Sequence, residues 1–145
     1  MKKLLLLLLA ATGVYAAPAP TLTVTPTEVS SGGVVTFSMQ MKGNTSGPTG
    51  TVNITTTVEY WDEGASAPTI LEPITTTLTL LGTGAPVKNP KWTMTLPTGW
   101  TYSSEPKSVG YVGASTVKGT GMLTFNALQL PPDVTATTTW QMRVP

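Results

Sequence analysis

Acid–base chemistry in this sequence would have to rest on carboxylates, because the chain contains neither histidine nor cysteine. That removes the usual general base, the thiol nucleophile and the commonest metal ligands. The acids are Glu28, Glu59, Asp62, Glu63, Glu72, Glu105 and Asp133. A hydrolase built on paired carboxylates needs two of them facing each other across a cleft. Only Glu59, Asp62 and Glu63 cluster, and they fall at a predicted hairpin turn, where acids ordinarily keep a loop solvated. Calcium takes loop carboxylates and carbonyls, but no spacing here resembles a calcium-binding loop. The expectation is a non-enzyme, with no catalytic, cofactor-binding or metal-binding residues.

Aromatic rings offer a second chemistry, the stacking of apolar sugar faces with neighbouring polar groups fixing orientation. Trp92 and Trp140 lie on apolar strand parities, which assigns them to the core. Tyr60 and Trp61 stand at a strand end, and Trp100 and Tyr102 follow a turn. These four are the candidate ligand-binding aromatics, with a polysaccharide as the partner they would suit.

The elements that hold these residues begin after a leader. "MKKLLLLLLAATGVYA" has a basic start at Lys2 and Lys3, a leucine run from Leu4, and small residues after it, the order of a secretory signal peptide. Cleavage is expected after Ala16, with Val14 and Ala16 at the two recognition positions. The apolar run is shorter than the roughly 20 residues of a membrane-spanning helix, so no membrane span is expected after cleavage. Without cysteine there is no disulfide and no lipid-modified cysteine. About 129 residues remain, enough for one domain with its own core. Losing Lys2 and Lys3 leaves six basic residues against seven acidic. That balance gives no electrostatic footprint for nucleic acid or anionic lipid.

Threonine makes up roughly a fifth of the chain, well above ordinary usage, and its β-branched side chain suits the solvated face of a sheet. No sustained helical periodicity follows residue 17. Residues 17–20 read as a stiff, extended lead-in, and 21–145 as one all-β domain. "TLTVTP" alternates with Leu22 and Val24 on one face. "VVTFSMQMK" places Val35, Phe37, Met39 and Met41 together. "TVNITTTVEYW" and "TILEPITTTLTLL" read as a long hairpin over 51–81, with Pro73 marking an edge position or a bulge. "KWTMTL" gives Trp92, Met94 and Leu96 one face. A Gly/Ser/Lys-rich passage runs to Gly121, "MLTFNAL" is a short strand, "QLPPDV" a turn, and "TATTTWQMRV" the last strand. Its inward parity is Ala136, Thr138, Trp140, Met142 and Val144. Such a series of short strands and turns, seven to nine in number, predicts a β-sandwich or barrel.

"LPTG" at Leu96–Gly99 imitates a cell-wall sorting signal without being one. Pro97 is followed at once by Thr98, the stretch is mid-chain, and a patterned strand follows. It reads as a turn in which Pro97 ends one strand and Gly99 permits the reversal. Asn44 in "NTS" and Asn53 in "NIT" match the glycosylation acceptor pattern, which acts only in a eukaryotic secretory pathway.

Three stretches, "LTVTPTEVSSGGVVTFSMQM", "WTMTLPTGWTYSSEP" and "GMLTFNALQLPPDVTATTTWQMRV", carry a resemblance. Together they are similar to the Ig-like conserved-repeat domain of bacterial and archaeal surface proteins, a family of unknown function (domain of unknown function eleven type). Leu96, Pro97, Gly99 and Tyr102 sit near the family's LP-x-G-aromatic step, and Leu123, Phe125, Leu130 and Pro131 match its later stretch. The sequence departs from the pattern in an insertion, Gly43 to Lys88, and in "LPPDV" where the family has a proline-glycine turn. The resemblance covers a little over half of the mature chain. It implies an Ig-like β-sandwich acting as a spacer or assembly module, with no catalytic residues to carry over.

The function expected is an exported, non-catalytic structural or interaction protein of the cell envelope or extracellular matrix. Its partner would be an envelope or matrix protein or a second copy of itself, engaged through edge strands. The hairpin over 51–81, β-rich and with little charge, is the expected assembling element. A carbohydrate-binding module using Tyr60, Trp61, Trp100 and Tyr102 is the second reading, and a pilus or fibre subunit the third.

Overall fold

The computed structural model describes residues 2–5, 21–43, 50–56, 59–61, 65–67, 69–70, 74–80 and 86–145, with side-chain burial for 21–43, 65–67 and 86–145. Among the described residues every regular element is a strand. In chain order they are β1 (Lys2–Leu5), β2 (Thr21–Thr25), β3 (Glu28–Val29), β4 (Val34–Lys42) and β5 (Gly50–Thr56). Then come β6 (Glu59–Trp61), β7 (Thr69–Ile70), β8 (Ile74–Leu80), β9 (Val87–Thr95) and β10 (Thr101–Tyr102). The last are β11 (Lys107–Val109), β12 (Ser115–Gly119), β13 (Met122–Asn126), β14 (Gln129–Leu130) and β15 (Thr135–Arg143).

Two antiparallel sheets make a β-sandwich, the architecture the alternating strands predict. One is five-stranded, in the order β10-β15-β4-β2, with β11 also on β15. The other is six-stranded, in the order β12-β13-β9-β8-β5, with β14 also on β9. The two-sheet architecture is that of Ig-like domains, which share it without always sharing one topology. Here β15 lies inside its sheet, paired along its whole length with β4 from Thr135↔Lys42 to Arg143↔Val34. A separate four-stranded sheet joins β3, β1, β6 and β7. Because β1 pairs only with β3 and β6, a cut after Ala16 would remove it without touching a ladder of the sandwich.

The alternation works because each sheet is covered on one face only. β4 and β15 bury every second residue, putting Val35, Phe37, Met39 and Met41 opposite Met142, Trp140, Thr138 and Ala136. Trp92, Met94 and Leu96 with Leu123 and Phe125 line the facing sheet. Rings stack across the space between. Phe37 lies parallel to Trp140 at 5.4 Å, Trp140 against Trp92 at 5.3 Å, and Trp92 against Phe125 at 5.3 Å. Each such pair adds about 0.5–1.5 kcal/mol beyond the area it buries. The indole N–H groups of Trp92 and Trp140 are buried with no acceptor among the described residues. Leaving such a donor unmade costs about 1–3 kcal/mol, which the packing of this ring column must exceed.

Two sites interrupt the regularity of the second sheet. β9 starts at Val87, earlier than "KWTMTL" suggests, because a bulge lets it pass Pro90. Asn89 takes a φ of 51°, and the ladder shifts register between Thr77 and Thr79 of β8. Proline offers no N–H to a ladder, but its carbonyl still accepts from the Ala127 N–H at 3.1 Å. Past that point the expected turn "QLPPDV" begins instead as β14, which pairs Leu130 with Val87 and buries both.

β5 and β8 pair antiparallel from Gly50↔Leu80 to Thr56↔Ile74. β8 then joins β9, so this pair of strands extends the sandwich itself. Beyond it, β6 and β7 continue the pairing in the separate sheet, with Glu59 opposite Ile70. Pro73 and the loop acids Asp62, Glu63 and Glu72 lie outside the described residues, as does Asn44.

Candidate functional site

The turn that resembles a sorting signal holds the first aromatic pair. The Trp100 N–H donates to the Pro97 carbonyl at 3.2 Å, and Gly99 has a φ of 87°. Positive φ at the third turn residue marks a type II turn, in which glycine is favoured. The turn delivers Trp100 half-buried beside Phe37, with ring centroids 6.3 Å apart. β10 follows and half-buries Tyr102, whose hydroxyl donates to the Met122 carbonyl at 3.3 Å. The Lys118 ammonium stands 5.4 Å from the centre of the Tyr102 ring and is ion-paired with Glu105. Burial pushes the Tyr102 phenol above its ordinary range. Both rings pack against the core, and Tyr102 is tied at its hydroxyl and at one face.

Tyr60 and Trp61 belong to β6, in the separate sheet, opposite Leu4 and Lys3 of β1. The four candidate aromatics thus fall into two pairs on two sheets, Trp100 and Tyr102 flanking the sandwich and the other two outside it.

The carboxylates among the described residues are Glu28, Glu59, Glu105 and Asp133. Glu28 and Glu59 lie on β3 and β6, the strands either side of β1. Glu105 pairs with Lys118, and Asp133 with Lys42 at 3.3 Å, both on the surface. No group of three potential metal-ligating side chains occurs among the described residues.

What the fold does present is a contrast of edges. On one side the chain passes from sheet to sheet. β11 pairs with β15, and β12, after a crossover at Gly110–Ala114, pairs with β13. Tyr111 sits in that crossover with its ring 4.7 Å from Phe125. Burial pushes its phenol well above the ordinary 10.0, and its buried hydroxyl has no partner among the described residues. Nearby, the Ser108 hydroxyl bonds that of Thr138, the buried polar residue of the core, at 2.8 Å. Alternation assigns no strand to this passage, since Val109 and Val117 break the usual rule by pointing to solvent. An aromatic bracketed by glycines, Gly110-Tyr111-Val112-Gly113, is the signal that marks it.

On the other side the sheets end in β2 and β5. Among the described residues, nothing pairs with the outer edge of β5, and Gly50–Thr56 contains no charged residue. An edge of this kind presents a row of backbone donors and acceptors to any strand that can reach it. It is the candidate site: a recognition surface made of main chain. Comparison with protein-family models, with curated proteins and with solved structures gives no match to this chain.

Proposed function

We propose that the chain is an exported, non-catalytic structural or interaction module of the cell envelope or extracellular matrix, assembling through its edge strands. The observation that carries the reading is the charge-free outer edge of β5, which ends the six-stranded sheet without a neighbour among the described residues. Main-chain hydrogen bonds supply the affinity in strand addition, and alternate side chains supply the selectivity. Export rests on the leader pattern of Lys2 to Ala16. Placement in the envelope rests on the resemblance to the conserved-repeat domain of surface proteins. The absence of histidine and cysteine, and the surface ion pairs that engage Glu105 and Asp133, support a role without catalysis.

The test is fractionation together with sedimentation. Association that rises with protein concentration, and recovery with the envelope or matrix fraction, are the expected results. A protein that stays monomeric at millimolar concentration and leaves with the soluble fraction would sink the reading. Polysaccharide binding is scored in the same preparation by tryptophan fluorescence, and no response is expected across a panel of glycans.

A further inference from the structure

The sequence of β5 is self-complementary. Reading outward from Asn53, Val52 faces Ile54, Thr51 faces Thr55, and Gly50 faces Thr56. In an antiparallel ladder, directly opposite residues share a face. If two copies of β5 pair with Asn53 opposite Asn53, apolar β-branched residues meet apolar ones and threonines meet threonines. Shifting the pairing by two residues either way sets Asn53 against Thr51 or Thr55 and keeps one apolar pair, Val52 with Val52 or Ile54 with Ile54, in place of two. A strand that pairs with its own copy in this manner generates a closed two-fold interface, in which the same patch serves both subunits.

We propose that β5 pairs with β5 of a second copy of this chain, antiparallel about a two-fold axis through Asn53, joining two six-stranded sheets into one. The proposal rests on the edge-strand reading above and gives it a partner and a register. β5 is available for this because β8 occupies only one of its edges. On the same side, the edge strand β2 has a similar "TLTVT" alternation but only five residues, between Pro20 and Pro26. Proline beside a strand blunts it as a template. β5 is seven residues long, which leaves three residues on either side of Asn53 to pair.

The chain has no cysteine, so a single introduced thiol reports on one position only. The protein is produced from its full sequence in a host that adds no N-glycans, since Asn53 stands in an acceptor pattern. Asn53→Cys should form a covalent dimer under mild oxidation, whereas Thr23→Cys on β2 should not. Val52→Cys and Ile54→Cys should each cross-link poorly alone and well when mixed. A charge pair gives an independent check: Asn53→Lys and Asn53→Asp should each abolish association, and mixing the two should restore it as a one-to-one dimer. Circular dichroism confirms that each variant retains its strands. Association of the unmodified chain without cross-linking at position 53 overturns this inference and leaves the module reading intact, as does cross-linking at Thr23 instead. No association in any form overturns both.

Discussion

The two sides of the sandwich treat their edges differently. On the crossover side, β11 and β12 carry Lys107 and Lys118, and the chain between them swings from one sheet to the other with Tyr111 packed on Phe125. On the far side, β2 and β5 carry no charge. Lysine on an edge strand is a common defence against unwanted pairing, and covering the edge is another. This molecule places a lysine on both edge strands of one side and no charge on β5. The difference lies in charge: β11 and β12 also lie at sheet edges, but with a lysine on each, whereas β5 ends its sheet with none.

That contrast predicts that substitutions on the crossover side cost stability, whereas those on β5 cost association. The largest effect should come from Tyr111→Ala, which unplugs the end of the core and should lower the unfolding free energy by about 2–4 kcal/mol. Urea denaturation measures it, against a total of about 5–15 kcal/mol for a domain. Gly110→Ala comes next, at about 2–3 kcal/mol. Gly110 has a φ of 87°, and an added Cβ would stand 2.8 Å from the Ala136 Cα on β15. A melting temperature unchanged by this substitution would show that the crossover is not held against β15 at all.

Ser108→Ala removes the partner of the buried Thr138 hydroxyl and should cost about 1–3 kcal/mol. The double variant with Thr138→Val should recover part of that loss, because both ends of the bond are then gone. Tyr111→Phe is subtler. Its hydroxyl is buried without a partner among the described residues, so at pH 7 the change should be neutral or stabilising by up to about 1 kcal/mol. The phenol is held neutral above its ordinary 10.0 in the fold, while in the unfolded chain it ionises near that value. Stability is therefore present below about pH 10 and lost as the pH rises beyond it. Denaturation curves between pH 9 and 12 should fall less steeply for Tyr111→Phe than for the parent. The smallest stability effect belongs to Thr55→Lys on β5, within about 0.5 kcal/mol, yet it should weaken association in a sedimentation experiment. A large loss of stability there would erase the distinction between the two sides.

The parts of the fold legible in the sequence are those whose strands are long and covered on one face. β4 and β15 bury the residues their alternation nominates, from Val35 to Met41 and from Ala136 to Met142. Trp92 and Trp140 follow the same rule, and "LPTG" is the turn its proline and glycine imply. What escaped is local and aperiodic. β11 has three residues, too few to show a period, and β12 exposes Val117. β9 hides its first residues behind a proline that sequence patterning takes as a stop, because only the neighbouring strands reveal the bulge at Asn89. For the candidate aromatics, alternation could not distinguish a ring beside the core from a ring on the surface. Trp100 and Tyr102 are held by a turn and by partners distant in sequence, Phe37, Met122 and Lys118.

The position of β15 has a bearing on how the chain is made. β4 needs it along its whole length, so residues near 35 wait for residues near 142 before their sheet can form. Folding during synthesis normally proceeds from the N-terminal end, and contacts that span most of a chain form slowly. The β4–β15 ladder therefore forms only once the segment up to Arg143 is present. On the proposal that the chain is exported as an unfolded thread, that delay is a safeguard, because β15 is the strand that completes the sheet around β4.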